Sequence, residues 1–424
     1  MKKRKILVFA HVPPPHHGQS VMVQILLDGL KADARFEVHH VDARVSYDLE
    51  DVGSFRPQKF ITLFKCILQA WWLRLRHGPM AFYYVPAPAK RSAIMRDWMV
   101  MAFCRPLFPE LILHWHAYGL GEWASEGNDW SRKLARWALG KADLSLVLNN
   151  YNKRDAEVFA PKRIEVVPNG IADQFPDYET ALAPRREARA ATLKALQEPA
   201  AKVGRWVGEG AEETRRGEEL ERVRFLFLGH LIETKGVIVA IAATGLANEE
   251  LCRAGAAWRA HLTLAGSFAS EDEKARVLVA VEKANSGGRK WEGTKAADNE
   301  AVCVELVGFL NSVQKKSALE EADCLVFPTF YEGETQGLVL LEAMSSGLPV
   351  ITTSWRGVPE ILPEGYCGVA TPRSAAEFAQ QMLRVNELQL SDGLRAHFNG
   401  RLDTKKHLCR LLVLLLGKAS REQV

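Results

Sequence analysis

Two carboxylates, Glu334 and Glu342, stand with seven residues between them in the stretch FPTFYEGETQGLVLLEAMSSGLPVITTSWRGVPEI, residues 327–361. The spacing of Leu338, Leu341 and Met344 predicts a helix that begins near Gly337 and is ended by Gly347 and Pro349, just ahead of a strand LPVITT. Glu342 then falls about one turn into the helix, and Glu334 in the loop before it. A helix start offers backbone N–H groups without intrahelical partners and the positive end of a dipole, a natural seat for phosphate. Carboxylates beside that seat can accept hydrogen bonds from sugar hydroxyls, so the ligand class the stretch describes is a nucleotide sugar. An isolated pair of glutamates would more simply be a turn residue and a surface helix residue. The frame strand–FPT–loop–helix–GLPVITT sets this pair apart.

The elements that must position these residues come in two alternating series. Strand-like runs ILVFA, FEVHHVD, AFYYVPA, LILHWHA, LSLVLNN and RIEVVPNG alternate in the first half with amphipathic stretches such as SVMVQILLDGL and KFITLFKCILQAWWLRLR. A second series runs through RFLFLG, HLTLAG, VELVGF, CLVFPT and PVITT. Short apolar runs alternating with helices predict parallel sheets covered on both faces. Both series open with a strand running into a glycine-containing loop, FAHVPPPHHGQS and LGHLIETKG. The expectation is an α/β protein of two facing, doubly wound, Rossmann-like domains. Ligands would sit at the carboxyl ends of the strands, in the cleft between the domains. We place the first domain at 1–176, a linker enlarged by an exposed, charged helical insertion at 177–221, and the second domain at 222–404. The C-terminal helix, about 405–424, is expected to pack back on the first domain, and GGRKWEGTKAADNE (287–300) to form a loop insertion.

Size and composition agree with this. At 424 residues two domains are the prior, and 47% apolar with 25% charged residues is ordinary for a globular protein. A net charge of +4 argues against a dedicated nucleic-acid partner. The seven cysteines form no CxxC pair, and several sit among apolar neighbours; buried free thiols in a reducing, cytoplasmic setting are expected. The start, MKKRKILVFAHVPPP, has too short an apolar run for a signal peptide. No segment reaches the roughly 18 apolar residues that span a bilayer.

The stretch from FPTFYEGE to GVPEIL resembles the signature of glycosyltransferase family 4, retaining enzymes of the GT-B fold. PPPHHGQS, the run from PAPAKRSAIMRDW to LHWHAYG, KRIEVVPNGI, LGHLIETKGV, LTLAG and VELVGF extend the resemblance over most of the chain. It implies a sugar transfer from a nucleoside diphosphate sugar to a sugar or lipid-linked glycan acceptor, with no metal or other cofactor. By position, Glu342 would accept the ribose hydroxyls and Glu334 those of the donor sugar. The amides of Gln336, Gly337 and Leu338 would face the diphosphate or the sugar. Lys235 would pair with the diphosphate as a point charge, and Gly18 in the first domain would let the backbone approach the same phosphates. His116, after an N-domain strand, would sit near the sugar and acceptor, with His114 as a packed core residue. Many family members carry Arg five residues before the lysine; here it is His230, either a cation induced by phosphate or a position whose charge is dispensable. Asn169 and Gly170 read as a tight turn near the domain junction.

One further segment, KCILQAWWLRLRHG (65–78), combines Trp71, Trp72 and Leu73 with Lys65, Arg74, Arg76 and His77. Tryptophans interleaved with basic residues suit peripheral contact at the cytoplasmic face of a membrane, against the simpler reading of an amphipathic helix covering the sheet.

Overall fold

The computed structural model describes residues 3–14, 18–44, 57–89, 91–127, 129–197, 221–291, 303–388 and 391–417. Two six-stranded sheets, all parallel, organise them. The first contains β1 (Arg4–Phe9), β2 (Phe36–Val41), β3 (Ala81–Tyr84), β4 (Glu110–Trp115), β5 (Leu144–Val147) and β6 (Ile164–Val166), in the order β2-β1-β3-β4-β5-β6. The second contains β7 (Glu221–Leu228), β8 (Trp258–Ala265), β9 (Val304–Gly308), β10 (Cys324–Phe327), β11 (Val350–Thr353) and β12 (Val369–Ala370), in the order β12-β11-β10-β7-β8-β9. Central strands such as AFYY, LSLV and CLVF are buried along their whole length, which is why they read as continuous apolar runs rather than alternating ones.

In each sheet the strand order reverses direction beside the first strand, and such a switch point opens a crevice at the carboxyl ends. In the second sheet β7 and β10 are neighbours, with Cys324 opposite Phe225. The loops that follow these two strands carry His230 and Lys235 on one side and Glu334 on the other, and the amide of Phe330 donates to the carbonyl of Thr234 (2.8 Å) to tie them together.

The expected exposed insertion is corrected in its first half. A π-helical turn, Tyr178–Leu182, runs into helix Ala183–Gln197, which is docked on the second domain rather than solvated. Tyr178, Leu182 and Leu193 are buried, and the buried Arg186 guanidinium donates to the carbonyls of Leu319, Ala322 and Ser346. These carbonyls close the ends of helices Ser312–Glu321 and Leu338–Ser345, where a cation is favoured by the dipole. The remainder, 198–220, lies outside the described residues. The expected loop at 287–300 begins as helix, Glu271–Trp291 running on to Trp291; 292–302 are also outside the described residues. Helix Thr404–Leu416 buries Leu411, Leu414 and Leu415 in one cluster with Ile6, Val8 and Leu27 of the first domain; 418–424 of the expected C-terminal helix lie outside the described residues.

Asn169 and Gly170 lie at this junction, but in a close crossing of segments rather than the expected tight turn. A Cβ on Gly170 would stand 2.5 Å from that of His407. The His407 ring contacts the Pro168 carbonyl (2.7 Å), and burial pushes its pKa down to about 4.

Candidate active site between the two domains

Helix Leu338–Ser345 buries Leu340, Leu341, Ala343 and Met344 against the second sheet, which turns Glu342 to the other side. Its start is set by Gly337, whose φ of +68° favours glycine and whose missing Cβ would lie 2.6 Å from the Phe327 ring. Leu338, read from its spacing as a core residue, is only partly buried and reaches across the cleft. A Cβ on Gly18 would sit 3.4 Å from its Cδ1, so the glycine loop of the first domain and the helix start of the second face each other.

Both carboxylates are met by lysines. Glu334 is nearly buried and paired with Lys235, whose ammonium also lies 5.1 Å from the Tyr331 ring centroid and 5.6 Å from that of Phe327. Glu342 pairs with Lys315 at 2.5 Å. Lys315 carried no signal in the sequence, because it belongs to a helix start after β9 and meets Glu342 only in the fold. The site thus holds two carboxylates, two ammonium groups and a helix N-terminus within one sheet edge.

His230 follows β7 as expected. Burial lowers its pKa, and the neighbouring Lys235 lowers it further, so the ring is neutral at pH 7 in the ligand-free protein. A bound diphosphate would push the other way. Affinity for a nucleoside diphosphate should therefore rise as pH falls from 8 to 6, beyond the change shown by His230→Gln; calorimetric titration of both proteins measures this, and equal pH slopes would assign the cationic role to Lys235 and the helix alone.

The first domain supplies the opposite wall. His114 is buried against the Tyr83 hydroxyl, and burial, with His116 and His407 adding to it, holds its pKa well below the usual value; it is the packed residue expected. His116 lies next to the glutamate loop, its carbonyl accepting the Thr335 hydroxyl at 3.2 Å. The interdomain polar contacts were not legible in the sequence. The Tyr118 hydroxyl (3.3 Å) and the Asn149 amide (2.8 Å) both donate to the Thr335 carbonyl. Gln336, expected to contribute its backbone amide, uses its buried side chain to bridge the domains: it donates to the Leu148 carbonyl (3.1 Å) and accepts from the Asn169 amide (2.9 Å). Glu360 accepts from the amides of Asn150 (2.7 Å) and Tyr151 (2.9 Å), placing a carboxylate at the start of helix Asn150–Glu157. The partners are separated by about two hundred positions along the chain, so no local pattern announces them.

A cavity of about 370 Å³ between the domains is lined by Asn150, Pro168, Glu360, Tyr366 and Arg401 and lies beside the site, without Glu334, Glu342 or Lys235 in its wall. Glu37, His39 and His77, whose ligand atoms fall within 4.8 Å of one another, stand near the amino ends of β1 and β2, where Lys5 pairs with Glu37 (3.4 Å).

Two facing parallel α/β domains, with the candidate residues gathered at their carboxyl edges, make this a GT-B protein. Residues 222–387 match the family of glycosyl transferases group 1, so the resemblance carried by the Glu334–Glu342 stretch holds for the second half of the chain. The amylovoran biosynthesis glycosyltransferase AmsK of Erwinia amylovora is 36% identical over 90 residues, 20% of this chain and 22% of that protein. The putative colanic acid biosynthesis glycosyltransferase WcaL of Escherichia coli K12 is 27% identical over 175 residues, 40% and 37% of the two chains. The chain thus spans well under half the length of these curated relatives. Over whole chains, sucrose-phosphate synthase from Thermosynechococcus elongatus superposes with a TM-score of 0.63 at 18% identity, covering 97% of this chain and 98% of that one. HepE of Anabaena, solved with UDP and glucose, gives 0.58 at 13% identity, covering 97% and 99%. At such identities these two establish the fold.

Proposed function

We propose that the protein is a retaining glycosyltransferase that moves a sugar from a nucleoside diphosphate sugar to the hydroxyl of a sugar or lipid-linked glycan acceptor. Its setting is surface polysaccharide, lipopolysaccharide or glycolipid assembly at the cytoplasmic face of a membrane, and nucleic acid is not a partner. The observation that carries the reading is the convergence of Lys235, Glu334 and the Gly337–Leu338 helix start at one switch point, facing Gly18 of the other domain. HepE, solved with UDP-glucose, and AmsK and WcaL, named for polysaccharide biosynthesis, support it. No helix among the described residues is long and apolar enough to cross a membrane, in keeping with peripheral contact.

In this reading Glu342 accepts the ribose hydroxyls and Glu334 those of the donor sugar, each exchanging part of its lysine contact for the substrate. The bond from the anomeric carbon to the phosphate oxygen breaks, leaving an oxocarbenium-like centre and a diphosphate. Lys235 and the backbone amides of Gln336, Gly337 and Leu338 stabilise the departing anion, where charge grows most in the transition state. The leaving phosphate takes the proton of the acceptor hydroxyl, whose oxygen bonds the anomeric carbon on the same face. His116 lines the acceptor side. Lys235 and the helix dipole take the charge, so the proposed step needs no metal.

Mass spectrometry with a panel of nucleotide sugars, with and without lipid-linked acceptors, tests the assignment. Wild type should form an acceptor-linked product, and Glu342→Ala should lose roughly 10-fold or more of that activity, the worth of one charge-assisted hydrogen bond. Donor consumed without an acceptor-linked product would point to an epimerase or hydrolase of this fold. Nucleotide binding without turnover, unchanged in Glu342→Ala, would point to a catalytically silent scaffold.

A further inference from the structure

Helix Pro57–His77 carries an apolar stripe on its outer side. Ile61, Phe64, Leu68, Trp72 and Leu75 are all exposed, Leu75 at 77%, and their spacing of three, four, four and three residues keeps them on one helical face about 21 Å long. The expectation from sequence is corrected in its residues. Trp71 turns inward and its indole donates to the Phe103 carbonyl (2.9 Å); Leu73 packs against the core, and Arg74 donates to the Leu107 carbonyl (2.7 Å).

The face continues sideways. The exposed Phe103 of helix Arg91–Cys104 stands edge-on to Phe64 (6.3 Å between centroids), and Trp98 of the same helix stands edge-on to Trp130 (5.7 Å). Trp130, 67% exposed, and Trp137 then extend it along helix Asp129–Leu139. An apolar surface across three helices is more than a monomer usually shows to water.

Charge identifies what covers it. Lys65, Arg76, Lys133 and Arg136 are exposed on these helices. The three sequences contain only two acids, Asp97, which is buried, and Asp129 at a helix start. Arg76 lies over the Trp72 ring at 5.5 Å, pairing a cation with an amphipathic ring as at a membrane–water interface. The stripe also has a direction. Cys66 contacts the Asp42 carbonyl just past the carboxyl end of β2, whereas His77 is held by Lys5 near the amino end of β1 (2.7 Å). Its Ile61 end therefore lies toward the cleft.

We propose that this three-helix face docks the protein on an anionic lipid bilayer, with the stripe from Ile61 to Leu75 and Trp130 and Trp137 in the interface and the basic residues at the headgroups. The inference rests on the glycosyltransferase reading for its purpose, delivery of a lipid-linked acceptor to the cleft, but its test needs neither donor nor acceptor.

The full chain is sedimented with vesicles of phosphatidylcholine and phosphatidylglycerol, and with phosphatidylcholine alone. Wild type should partition to the anionic vesicles, less so in high salt. Trp72→Ser/Leu75→Ser should lower the partition roughly 10-fold, and Lys65→Ser/Arg76→Ser should remove the preference for anionic lipid, both with an unchanged thermal midpoint. Turnover of a soluble acceptor should be unaffected, which separates this test from that of the reaction. Wild type remaining in the supernatant with both vesicles would overturn the proposal. So would sedimentation velocity showing a dimer that Leu75→Ser dissolves, since a second copy would then cover the face.

Discussion

Lys235→Ala is expected to lower kcat/KM of the proposed transfer by about 10²–10³, the scale seen when a donor aimed at developing charge is removed. The ammonium is held by Glu334 and by the Tyr331 and Phe327 rings, so it is positioned before substrate arrives. Because the diphosphate gains negative charge as the anomeric bond breaks, kcat should fall more than the affinity for nucleoside diphosphate. Lys235→Arg should recover little, since a planar fork does not replace a compact point charge in a gap shaped by two rings and a carboxylate. The loss could instead come from a Glu334 carboxylate left without its cation. Lys235→Ala/Glu334→Gln separates the causes: recovery toward wild-type kcat in that double variant would show Lys235 to be a partner of Glu334 rather than of the leaving group. Steady-state kinetics with calorimetric binding of the nucleoside diphosphate gives both quantities.

The largest expected effect on stability comes from Asp323, directly ahead of β10. Its side chain is fully buried and accepts from the Arg189 guanidinium through two bonds of 2.9 Å and from the Arg224 amide at 2.8 Å. Arg189 belongs to the docked helix Ala183–Gln197, so one carboxylate fastens that helix to the strands whose ends carry the site. Asp323→Ala would leave the Arg224 amide without its acceptor and Arg189 held only by Glu221 and the Arg222 carbonyl, and should cost about 1.5–3 kcal/mol. The pH dependence follows from the same contacts. Burial raises the Asp323 carboxyl, but the bonds from Arg189 and the Arg224 amide outweigh it and hold the group below its ordinary value. Its contribution is therefore present in full above the unfolded carboxyl pKa, near 4, and is lost as pH falls through the lower folded value. Denaturant unfolding should show a large gap between wild type and Asp323→Ala at pH 7 that narrows in acid. A gap of equal size throughout would mean that packing, not charge, is the source.

Much of this architecture could be read from residue order, because what sets it is local. Apolar runs bounded by glycine and proline specify buried parallel strands, and the frame around Glu334, Gly337 and Glu342 specifies a loop, a helix start and a strand with nothing else needed. Lys235 and His230 were named through the resemblance to glycosyltransferase family 4, which marks the loop after the first strand of the second domain. What residue order left open depends on groups that meet across the fold. Lys315 on Glu342, Gln336 bridging to Leu148 and Asn169, and Tyr118 and Asn149 on Thr335 each join segments with no shared periodicity. The helix Ala183–Gln197 looked solvated because it is rich in arginine, yet Arg186 and Arg189 find their partners in another part of the chain. In helix Pro57–His77 composition suggested the function of a face without saying which side it was. Trp71 and Trp72 are adjacent in sequence but about 100° apart around the helix, and packing turned one inward and the other out. Periodicity along a chain decides which elements form and where a loop must end; which side chains then share a surface or a charge is decided only when the elements pack.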